Sequence, residues 1–181
     1  FGITEVQAQT ILTDSLHVVA SSDDASRYGA TSFNLTELAA YIGRTGAGGR
    51  SNGFRFTNCQ VPKDATIDTA YISGFVPTTS ANESTLTVNV VIYGEAADSA
   101  ATYSTYTNFD GRGLTTAKVS WANIPIWTPG NVRSKWGTDS GCTPDLKSIF
   151  TEITSRTNWK IGNSLAIQVN DSSSGPADPR R

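Results

Sequence analysis

Side chains able to do chemistry are few in this chain. His17 is its single histidine, so any Ser–His–Asp or Cys–His arrangement would have to pass through it. It sits in Leu16-His17-Val18-Val19, an apolar strand pattern in which a lone histidine reads as structural. No serine occupies a Gly-x-Ser-x-Gly elbow, and no spacing singles out two opposed acids for glycoside hydrolysis. The two cysteines, Cys59 and Cys142, match no zinc-ligand spacing. They read either as one disulfide or as two separate thiols. This inventory points away from an enzyme and names no required cofactor.

Two other groups of residues carry expectations. Asp23, Asp24, Glu95 and Asp98 are acids in polar, turn-like segments, and carboxylates gathered on loops suit a structural Ca²⁺. The alternative is that they are solvated acids capping their own turns. Among the aromatics, Trp121 and Trp159 read as core from their strand and helix-end positions. Trp127, Trp136, Tyr103, Tyr106 and Phe109 fall outside the alternating segments and are the candidate contact surface, against the alternative that each packs inside. Asn34, Asn82 and Asn170 begin Asn-x-Ser/Thr sequons, which matter only along a eukaryotic secretory route.

The elements that must position these groups are mainly strands. Leu86, Val88, Val90 and Ile92 alternate cleanly, as do Ala117, Val119 and Trp121, and Leu165, Ile167 and Val169. Phe54 and Phe56 flank Arg55, 66–76 is a long β-rich run, and 33–42 reads as a further strand. The glycine-rich stretch 43–53 reads as a flexible connector. The segment 94–113 is a polar loop longer than compact domains usually hold without a role. One amphipathic helix is predicted over about 144–155. Thr143 is its N-cap, Pro144 its first residue, and Leu146, Ile149, Phe150 and Ile153 its apolar stripe. Many short strands with one helix and no βαβ alternation predict an all-β, antiparallel, jelly-roll-like β-sandwich. The expected organisation is an N-terminal arm or edge strand over 1–15, the sandwich over 16–170 and a flexible end over 171–181.

Composition narrows the partners. At 38% hydrophobic and 17% charged the 181-residue chain is globular, and a net charge of −2 lacks the basic excess that nucleic acid requires. No run approaches the roughly 18 apolar residues of a membrane span.

Several segments together resemble a known family: FRFTNCQVPKDATIDTAYI (54–72), VVIYGEAADSAATY (90–103), LTTAKVSW (114–121), IPIWTPG (124–130), and TPDLKSIFTEITSRTNW through GNSLAIQV (143–169). The set is similar to a jelly-roll, carbohydrate-binding-module-like domain recurrent in bacterial extracellular and phage structural proteins. Two residues depart from that pattern, Cys59 at an aliphatic position and Asp64 at a turn glycine. The resemblance implies a non-catalytic module at a cell or virion surface that binds a glycan or a surface protein. Its alternative is a virion structural protein, a capsid decoration or tail component. The partners of that protein are capsid or tail proteins, or copies of itself joined through the N-terminal arm.

Overall fold

The computed structural model describes residues 11–37, 39–45, 48–74, 87–125, 127 and 142–173. Among them the chain forms seven strands: β1 (Asp24–Tyr28), β2 (Ser32–Asn34), β3 (Arg44–Thr45), β4 (Gly48–Phe56), β5 (Val88–Glu95), β6 (Leu114–Ile124) and β7 (Leu165–Asp171). Six of them make one antiparallel sheet in the order β2-β1-β4-β7-β5-β6, and β3 pairs with the start of β4. The last strand in sequence therefore lies at the centre, between β4 and β5.

Alternation decides which side of each strand is buried. In β5 every second residue from Val88 to Gly94 is buried, the period expected of a pleated strand with one face on a core. Of these, Val88, Val90 and Ile92 join Phe56, Leu165, Ile167 and Val169 in the main core. The helix α2 (Lys147–Thr154) covers this face of the sheet, its helix face, with Leu146, Ile149 and Ile153 wholly buried against it. Close approach is allowed because Gly94 has no side chain. A Cβ there would lie 2.7 Å from both Ile149 Cγ2 and Ile153 Cδ1. The pairing of β5 with β6 shifts register beside Gly94, and Thr115 Oγ1 accepts from its N–H. At the sheet edge, Glu152 of α2 accepts from the N–H groups of Thr116 and Ala117.

The helix starts later than its sequence suggests. Thr143 is not its N-cap: its hydroxyl accepts from Ile72 N–H, while its own N–H donates to Ile72 C=O. Leu146 N–H donates to Ala70 C=O, and Asp145 accepts from both Ala70 and Lys147 N–H. With the Ser73–Cys142 bridge, these bonds hold 142–146 extended against 70–73. A partner distant in sequence thus takes the hydroxyl that local propensity assigns to the cap. Phe150 is only half-buried. The departure of Asp64 from a glycine pattern is accommodated by backbone: its φ is 58°, a left-handed conformation that Asp tolerates better than most residues.

Other expectations are corrected by long-range pairing. The glycine-rich 43–53 is not a connector but β3 and most of β4. Among the described residues of 33–42 only the start is strand, in β2, and 66–74 forms no strand beyond the bridge at Ser73. Residues 11–19 pair in no ladder, although Leu16 and Val18 pack on the core while His17 and Val19 stay exposed. The described residues contain one sheet, and the layer over its helix face is helix and extended chain.

The opposite face of the sheet is covered in part by the long polar segment after β5. That segment contains a second helix, α1 (Tyr106–Asp110), capped by Thr105 Oγ1 accepting from Asn108 N–H. Tyr103 and Phe109 pack there with Ala25, Ala100 and Ala166 as a small second core. Gly53 makes the space, since a Cβ on it would stand 2.5 Å from the Tyr103 ring.

Candidate functional site

The candidate contact aromatics are mostly interior, which corrects the expectation of a displayed aromatic surface. Tyr103 and Phe109 are 3% and 1% exposed, with ring centroids 5.6 Å apart. Burial also pushes the Tyr103 hydroxyl pKa up. Trp127 is 8% exposed and stacks on half-buried Trp121 at 6.2 Å. Tyr106 is half-buried beneath the Arg27 guanidinium. Trp136 lies outside the described residues. Trp159 is core as expected, its indole N–H donating to Val61 C=O.

The four acids are likewise not gathered. Asp23 pairs with Arg55, Glu95 with Arg112, and Asp98 with Arg156. Hydrogen bonds from Asn158 and Arg156 hold the Asp98 carboxyl below its ordinary pKa, whereas burial raises that of Asp24. Among the described residues no three His, Cys, Asp or Glu side chains come together as a metal site. The arginines explain why the long loop is ordered. Arg55 donates to Ala100 C=O, Asp23 and Ser164. Arg112 donates to Glu95, Asn108 and the carbonyls of Ala101 and Thr102, and lies 4.1 Å from the Tyr103 ring centroid. These groups hold the fold together and are unavailable to a ligand. Cys59 and Cys142 are both buried and are not joined in a disulfide, and His17 is exposed.

A cleft of about 330 Å³ opens where β1 ends and β4 begins. Arg27, Arg50, Ser51 and Asp171 form its polar wall, and Gly48 and Gly49 its backbone floor. Strand register sets these positions: Arg27 faces Ser51 and Tyr28 faces Arg50 across the β1–β4 ladder. Glycine keeps the floor open: a Cβ on Gly48 would meet the Tyr28 ring at 2.8 Å and one on Gly49 the Asp171 carboxylate at 2.7 Å, so either side chain would have to shift. Arg50 Nη1 lies 3.0 Å from both oxygens of Glu37, and its guanidinium stacks on Tyr41 and Tyr28. Arg44 Nε donates to Asp171 at 3.1 Å. Arg27 Nε stands 3.2 Å from Asp110. Arg27, Arg50 and Asp171 thus line the cleft, each paired with an opposite charge beside it (Asp110, Glu37 and Arg44), and the lining holds hydrogen-bonding groups but no nucleophile–base pair.

The site is not legible in the sequence because its lining residues come from three separate segments, 27–30, 48–51 and 171. The one local signal is the run Gly48-Gly49-Arg50-Ser51, glycines beside a cation inside what folds as a strand. No family model matches the chain, and no curated protein or solved structure matches it either.

Proposed function

We propose that the chain is a non-catalytic module displayed outside a cell or on a virion, which recognises a glycan or a surface protein. The finer architecture that goes with this reading is the jelly-roll sandwich, with 70–73 and 142–146 contributing to a second layer. The cleft, whose lining charges are each paired with an opposite one beside it, is the observation that carries it. Paired guanidinium and carboxylate groups beside bare glycine backbone suit hydroxyl-rich ligands, which need many donors and acceptors but little net charge. Ala30 lines the rim and is exposed, so Ala30→Trp fills the cleft without touching the core. A glycan array with the intact chain should show binding that Ala30→Trp abolishes at unchanged melting temperature. Binding of no glycan, or equal binding by the variant, would refute the glycan-binding reading.

One observation favours the virion structural alternative. Ile11, Leu12 and Val19 are 79%, 56% and 70% exposed, along a segment that Leu16 and Val18 anchor to the core. Such an arm suits apolar contact with a shell protein or a second copy.

A further inference from the structure

Arg27 differs from the arginines that order the long loop. A guanidinium offers five donors; Arg55 donates from all three of its nitrogens, and Arg112 donates from both Nη atoms to carbonyl, carboxylate and side-chain oxygens, leaving only its buried Nε without a partner. The Nε of Arg27 is buried with no aligned hydrogen bond, although Asp110 stands 3.2 Å away. Its Nη1 lies 3.5 Å from Ser51 Oγ, at the limit of a hydrogen bond, and its Nη2 makes none among the described residues. The cation is nonetheless held in place, with its centre 5.5 Å from the Tyr106 ring and its side chain only 26% exposed. An oriented cation with unmet donors thus lines the cleft between β1 and β4.

From this geometry we infer that the cleft takes a carboxylate-bearing saccharide, a uronate, with Arg27 as the anchor of the carboxylate. The inference rests on the glycan-binding reading above and narrows it. A carboxylate matches the planar fork of guanidinium through two parallel hydrogen bonds. The balance of three cations against three carboxylates disfavours a polyanion but admits one extra negative charge on a neutral body. The volume is at the small end of ligand sites, right for one or two sugar rings along the Gly48-Gly49 backbone. Asp110 is half exposed and is the ligand's competitor for Arg27.

Titration calorimetry of the intact chain with glucuronate, glucose, acetate and a glutamate-containing peptide tests this. Glucuronate should bind at least about tenfold more tightly than the other three, the order expected of charge-assisted hydrogen bonds. Arg27→Ala should lower that affinity at least about tenfold, and Arg27→Lys should fail to restore it because ammonium lacks the fork. Asp110→Asn should raise it by removing the carboxylate that competes for the Arg27 charge, and that arm stands even if Arg27→Ala does not fold. Equal affinity for glucose and glucuronate, an Arg27→Ala variant that binds normally, or a peptide that outbinds the sugar would each overturn the inference. If neutral sugars bind the cleft regardless of Arg27, this inference falls and the glycan-binding reading stands. If no saccharide binds, both fall.

Discussion

Gly53→Ala puts the burial of the loop aromatics to a direct test. In β4 the new Cβ would sit 2.5 Å from Tyr103 Cζ and Oη and 2.8 Å from Phe109 Cε2. Both rings are nearly fully buried and Tyr103 is pinned from behind by Arg112, so neither can swing into solvent. Overpacking of this kind costs about 1–3 kcal/mol. Loss of glycine's freedom in the unfolded chain offsets about 0.4–1 kcal/mol of it. A net loss of about 1–2 kcal/mol corresponds to a melting temperature lower by roughly 2–8 °C for a domain of this size. Calorimetry on wild type, Gly53→Ala, Phe109→Leu and the double variant measures the coupling. The penalty of Gly53→Ala should shrink in the Phe109→Leu background, since the smaller side chain vacates part of the space. A melting temperature that stays level or rises, or strictly additive effects, would mean that these rings do not lie on Gly53, and the second core would have to be redrawn.

Two further outcomes follow from the main core and from its buried acids. Ile153→Ala should cost about 2–5 kcal/mol in a denaturant titration, because its side chain is wholly buried between α2 and Gly94; half-buried Phe150→Ala should cost less. Alkaline conditions should destabilise the protein. Burial, and then the neighbouring Asp14 carboxylate, pushes the Cys59 thiol up to about 11, and burial also raises Tyr103. Folded pKa values above the unfolded ones mean that these groups contribute stability fully below about pH 9 and lose it as pH climbs through the folded values. The slope is about 1.4 kcal/mol per pH unit for each such group, and Cys59→Ala should flatten its part of the pH 9–11 decline. A flat stability profile from pH 8 to 11 would contradict both burials.

What the sequence by itself determined is what local periodicity can carry. Val88 to Ile92, Ala117 to Trp121 and Leu165 to Val169 are strands because alternate residues must face one core, and that pattern is complete within each segment. The stripe Leu146, Ile149 and Ile153 marked α2 in the same way. Only the tertiary structure decided the rest. Tyr103 and Phe109 look displayed in a polar loop, yet Gly53, some fifty residues earlier, leaves the space that buries them. Asp23, Glu95 and Asp98 resemble a cation site until three arginines, each from another segment, neutralise them separately. The cleft is assembled from residues 27, 48–51 and 171, which no sequence window holds together. Backbone periodicity is a property of neighbours along the chain. The burial of a ring and the partner of a charge depend on which distant segment closes over it.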